Sequence, residues 1–174
     1  GAVLAVAFAF FFVAVSARMV GLIGTTSQPV SGMTLTALIA TAAIYRASGH
    51  ADPWGQAAAL TVGSVVCIAI CMSGDISQDL KTGALVGATP WKQQASEFVG
   101  RGAMAVAAGA VRALIHRGYG LGSEAVPAPQ AKLLGDVVRG VLGGDLPWTL
   151  VLLGMALGAA VELAGVSALA FAIG

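Results

Sequence analysis

The stretch GDISQDLKTGALVGATPWKQQ, Gly74 to Gln94, decides how the rest of the chain reads. It crowds aspartates, lysines, glutamines, glycines and a proline between two apolar runs. The run before it, Pro53 to Ser73, has no charged residue, and the one after it, Ala95 to Ile115, carries only Glu97, Arg101 and Arg112. Asp75 and Asp79 stand four apart and so share one face of a helical turn, with Lys81 close behind. Gly83 and Gly87 permit close backbone approach, and Pro90 after Thr89 predicts a helix stop. A polar, breakable segment between apolar spans is a favoured place for the chemistry of a membrane protein.

Composition sets the surroundings. The chain is 57% hydrophobic and 10% charged, with a mean hydropathy of +0.88. Soluble domains carry about 25% charged residues, so this chain has too little polar surface for water. The reading is an all-α, polytopic transmembrane helix bundle with the lipid bilayer as its partner, multi-pass in the cell (inner or plasma) membrane. A net charge of +1 and the lack of a lysine/arginine run give no basis for nucleic acid as a partner. Residues 1–17 are apolar from Gly1 with no basic lead, which does not fit a signal peptide. Both ends cut into apolar runs, so the chain is expected to be an internal piece of a longer polypeptide whose remaining part completes the bundle.

A bilayer core needs roughly 20 apolar residues per helix. Residues 1–17 form the first expected span, ended by Arg18. The next unit, 19–46, opens with GLIGTTSQPVSGMT, in which Pro29 removes a backbone donor and Gly24 and Gly32 loosen the helix around it. Such backbone survives at membrane depth only inside protein or along a polar cavity. The expectation is a re-entrant 19–32 followed by a short helix, 33–46, with the polar part of 21–34 buried. Spans 54–73 and 95–115 follow on either side of the central stretch. Arg101 must either lie near a span end or pair inside the bundle, and Ala103 to Ala110 offers a small-residue face. Residues 116–146 are expected outside the membrane, with an amphipathic helix at 130–142. Its aliphatic residues Leu133, Leu134, Val137, Val138, Val141 and Leu142 fall opposite Lys132, Asp136 and Arg139, and Gly143-Gly144 ends it. That helix is expected on the interface or on a neighbouring helix. A last full span, 147–162, precedes a cut one, 163–174.

The candidate functional residues follow from the two polar interruptions. Thr25, Thr26, Ser27, Gln28 and Ser31 offer uncharged donors and acceptors beside freed backbone, either lining a cavity for a small amphiphilic solute or satisfying the broken helix itself. Asp75, Gln78, Asp79 and Lys81 form either a self-neutralised loop or a substrate- and proton-handling cluster. A carboxylate held from water at a bundle edge can exchange protons near neutrality. Glu162, beside Gly165, divides between a helix-end and a pathway role. Gly24, Pro29, Gly32, Gly83, Gly87 and Pro90 are the expected helix breaks. Nothing matches GxxxxGK[ST], HExxH or GxSxG, so nucleotide-driven and hydrolytic chemistries have no motif here. Cys67 and Cys71 read as small packing residues rather than a metal site, His50 and His116 as loop residues, and no cofactor is expected.

The central stretch closely resembles the signature of the oligopeptide transporter family in its bacterial branch, GD-x-x-QDLKTG-x-x-VGATP-x-x-QQ. GLIGTTSQPVSGMT is similar to that family's G-x-x-G-x-[ST]-S-x-PVSGMT, with Gln28 where asparagine is usual. Pro127 to Gln130, Leu146-Pro147-Trp148 and the closing LAGVSALAFAIG are similar too, with Ser167 in place of a common proline. The resemblance implies an internal portion from the C-terminal half of a longer member. It also implies a proton-coupled secondary transporter, not an enzyme, carrying small peptides or metal–chelate complexes. Two other classes stay in view: an intramembrane enzyme using Asp75 and Asp79, and a structural subunit of a membrane complex.

Overall fold

A computed structural model of the chain describes residues 1–24, 28–168 and 171. Six α-helices run in order: α1 (Ala2–Ile23), α2 (Val30–Ala47), α3 (Pro53–Leu85), α4 (Pro90–Tyr119), α5 (Pro129–Gly143) and α6 (Trp148–Leu163). The first four are each long and apolar enough to cross a membrane. α5 and α6 meet at a bend of 109° and together would make a fifth, broken span.

Local chemistry explains most of the boundaries. Asp52 caps α3 by accepting from the Gly55 N–H at 2.8 Å, and Pro53 fills the first turn, where its missing N–H costs nothing. α1 ends at Gly24, whose φ of 80° suits a residue without a side chain, and α2 starts directly after Pro29. Gly144, at φ 91°, closes α5 in the left-handed conformation. Pro90 opens α4 rather than merely stopping what precedes it.

Several boundaries differ from the sequence reading, among them that of α4, which runs to Tyr119 and takes in His116, expected in a loop. α1 continues past Arg18 to Ile23, because one charged residue does not end a helix whose backbone bonds are intact. The break in 19–46 is confined to the stretch between Gly24 and Pro29, and α2 begins at Val30, so Gly32 sits inside a helix rather than loosening one. α3 runs unbroken through the first half of the central stretch and stops only at Leu85. Gly83 is therefore helical, and the turn falls at Val86 to Thr89, where Gly87 takes φ 76°. With no proline between Pro53 and Pro90, polarity alone cannot break the ladder. A helical glycine costs only about 1 kcal/mol. The pair bent at a short break is α5–α6. Thr25, Thr26, Ser27 and most of the expected cut span 163–174 lie outside the described residues.

α1, α2 and α3 pack as one layer around Phe12, Met33, Ala37, Val62, Val66 and Ile70. α1 and α3 run the same way, from Gly1 beside Trp54 to Gly24 beside Lys81, and α2 runs back against α3, which packs on both. Lipid tails are as apolar as these side chains, so association rests on close fit. Gly63 provides it: a Cβ there would stand 2.3 Å from Leu38 Cδ2.

The amphipathic α5 packs against α2 and α3, burying Val138, Val141 and Leu142 against Leu38, Ala42, Tyr45 and Ala59. Its first turn lies beside Val30 to Leu35 and its last beside Arg46, so it runs alongside α2 in the same direction. Arg46 donates to the Val141 carbonyl at 2.8 Å, across 95 residues of chain. That bond supplies a partner to a carbonyl the helix end leaves free. At the same end Tyr45 meets His50 and Trp54 edge to face, with Tyr45 and Trp54 ring centroids 5.9 Å apart. This is an aromatic cluster of the kind that sits at headgroup depth.

α4 and α6 differ from this core: neither buries a residue among those described. α4 touches α3 only near their shared turn. Its Arg101 pairs with Glu97 at 2.8 Å, one turn away on the same helix, rather than with a group inside the bundle.

Candidate functional site

The two polar interruptions meet on the seam between α1 and α3. At the centre is Ser16 of α1, fully buried. Its hydroxyl donates to the Ile70 carbonyl at 3.2 Å and accepts from Ser73 Oγ at 2.8 Å. Gln28, from the break before α2, reaches into this node, where its amide donates to Ser16 Oγ and, at 2.9 Å, to the Ile70 carbonyl. The Gln28 carbonyl end lies against Gly74: a Cβ on Gly74 would meet Gln28 Oε1 at 2.4 Å and Val20 Cγ2 at 3.2 Å. Gly74, the first residue of the central stretch, thus leaves the room that Gln28 fills. A seam of hydroxyls and one amide, each with a partner, keeps a polar join inside an apolar bundle without an unsatisfied group.

One turn further along α3 the seam opens into a groove of about 550 Å³ lined by Val20, Gly21, Gly24, Ser77, Gln78, Lys81 and Thr82. Ser77 and Thr82 donate to the carbonyls of Ser73 and Gln78 at 2.7 and 3.0 Å, which leaves their oxygen lone pairs facing outward as acceptors. Lys81 makes no ion pair among the described residues. Gly21 and Gly24 present bare backbone, with open space where a Cβ would stand.

The sequence candidates separate into groups. Gln28, Gln78, Lys81 and Gly24 are brought to this seam and groove. Asp75 and Asp79 are exposed on the same helix. At 100° per residue they project about 120° and about 160° away from Lys81, so the charged cluster is split between two faces. The Asp79 side looks toward α4: Gln93 donates to the Asp79 carbonyl at 2.6 Å and lies over Gly83, whose added Cβ would stand 2.1 Å from Gln93 Oε1. Ser31 faces a different, smaller cavity of about 270 Å³ between α2, α3 and α5, shared with Thr34, Cys67 and Gln130. Glu162 accepts from the Ala168 N–H at 2.9 Å and ties off the end of α6, away from the groove. Among the described residues, no three of His, Cys, Asp or Glu gather as a metal site.

Sequence reasoning missed Ser16 and Ser73. Their signal was faint: lone hydroxyls near the ends of long apolar runs, each two residues before a charge, Arg18 and Asp75.

The sequence profile described as OPT oligopeptide transporter protein matches residues 1–174. A Haemophilus influenzae protein described as "Putative oligopeptide transporter" is 35% identical over 90% of this chain, which spans 28% of that relative's length. No solved structure matches the chain significantly. The chain belongs to the oligopeptide transporter family, and with its membrane-length helices it is part of a multi-pass membrane protein.

Proposed function

We propose that this member of the oligopeptide transporter family forms part of a proton-coupled secondary transporter in the bacterial cell membrane, carrying small peptides, with metal–chelate complexes as the neighbouring substrate class. The observation that carries the reading is the meeting of the first helix break with the polar face of α3, in a groove beside membrane-length helices. Broken helices that expose backbone and polar side chains next to a cavity suit a solute that must be bound and released from either side.

The other two classes fit less well. An aspartyl pair that shares a proton across a cleft needs its carboxylates on facing elements, and Asp75 and Asp79 lie one turn apart on a single helix. A purely structural subunit gives no reason for the polar groove.

Proton handling falls in this proposal to Asp75 and Asp79. They stand on the helix that lines the groove, but are exposed rather than held from water as the sequence reading has them, so they would load and release protons directly with water. The test is uptake of a labelled tripeptide by the intact protein in liposomes, with Asp75→Asn and Asp79→Asn. Gradient-driven uptake should fall more than about tenfold, the effect expected when a positioned proton-transfer group is removed, while exchange without a gradient partly survives. Normal transport by both variants across a pH series would remove these aspartates from the coupling step.

A further inference from the structure

We propose that the groove between α1 and α3 holds the carboxylate end of a peptide, with Lys81 as its counter-charge; this rests on the transporter reading and names what its site takes. Lys81 brings an ammonium with no acidic partner among the described residues, because the neighbouring aspartates project to the far side of α3. A carboxylate is the ligand such a group lacks. Beside it, Ser77 and Thr82 have spent their protons on helix carbonyls and offer acceptors. Those acceptors match the backbone N–H groups that precede a peptide's terminal carboxylate. Val20 gives an apolar wall for a side chain, and Gly21 and Gly24 leave the opposite wall without side chains. The groove's volume of about 550 Å³ falls within the ~300–1,000 Å³ range of small-ligand sites. Nothing in the groove is a fixed anion, so a peptide's ammonium end is not what it reads.

The carboxylate has two possible sources, a peptide terminus or a metal chelate, and the groove's acceptors favour the peptide. Calorimetric titration of the purified intact protein with trialanine, trialanine amide and a ferric aminocarboxylate chelate separates them. Trialanine should bind at least about tenfold more tightly than its amide, the discrimination expected of one charge-assisted pair. Lys81→Met should remove that preference by weakening trialanine alone, and Lys81→Arg should keep it. Gly21→Leu, which meets no protein atom within 4 Å at its Cβ, should fold normally and weaken both peptides by filling the groove. Equal binding of acid and amide, a preference that survives Lys81→Met, binding of the chelate alone, or no binding at all overturns the assignment. A preserved acid preference without gradient-driven uptake in liposomes instead counts against the transporter reading and leaves the groove's ligand in place.

Discussion

The two polar stretches look alike as sequence and fold differently. Gly21 to Thr34 breaks the chain: α1 stops at Ile23, α2 starts at Val30, and Gln28 turns inward to bond Ser16 and the Ile70 carbonyl. Gly74 to Gln94 carries more charge, yet it stays helical for its first 12 residues and turns only around Gly87. Glycine at positive φ and proline decide where the backbone stops, and charge does not. Charge decides instead which face of a continuing helix looks at what. In the first stretch a single amide, Gln28, satisfies the join. In the second they are sorted around a cylinder, with Lys81 on the groove side and the aspartates away from it.

The join between the two stretches is where this contrast breaks most easily. Gly74→Val places a branched side chain where Gln28 and Val20 already stand. Overpacking together with loss of the Gln28 bonds should cost about 3 kcal/mol, read as a lower thermal midpoint and poor monodispersity of the solubilised protein. Ser16→Ala removes the hydroxyl that accepts from both Ser73 and Gln28. That should cost about 1–2 kcal/mol, and because Gln28 keeps its bond to the Ile70 carbonyl, adding Gln28→Leu should deepen the loss rather than rescue it. The smallest effect is expected in the second stretch. Gly83→Ala meets only the end of the Gln93 side chain, which can swing aside, so the cost should stay below about 1 kcal/mol. Adding Gln93→Ala should abolish even that, and a larger, unrescued loss would mean that the α3–α4 turn is fixed more tightly than the Gln93 contact implies.

Much of this fold can be read from punctuation. Asp52-Pro53 marks the start of α3, Gly143-Gly144 the end of α5, and the aliphatic positions Leu134, Val138, Val141 and Leu142 the face that α5 buries. Gly24 and Pro29 bound the first break, which is narrower than the re-entrant 19–32 that the sequence suggests. What was not legible depends on partners distant in sequence. Helical spacing shows that Asp75 and Asp79 share a face, but only the position of α1 reveals that the groove lies on the other one. Ser16 and Ser73 become significant only when α1 and α3 are set side by side, 57 residues apart in the chain. The same holds for α5: its amphipathic pattern is plain, while its seat along α2 follows from the complementary surface at Leu38, Ala42 and Tyr45.

The bond from Arg46 to Val141 carries a consequence for biosynthesis. The two residues are separated by 95 positions. At the roughly 5–20 residues per second of synthesis, the surface of α2 that receives α5 waits on the order of 5–20 s after it leaves the ribosome before its cover is made. During that interval Leu38, Ala42 and the Arg46 guanidinium must be shielded by lipid, the insertion machinery or a chaperone. A ribosome stalled between α4 and α5 would therefore hold a nascent chain with an open seam, and quality control in the membrane would have a defined surface to recognise.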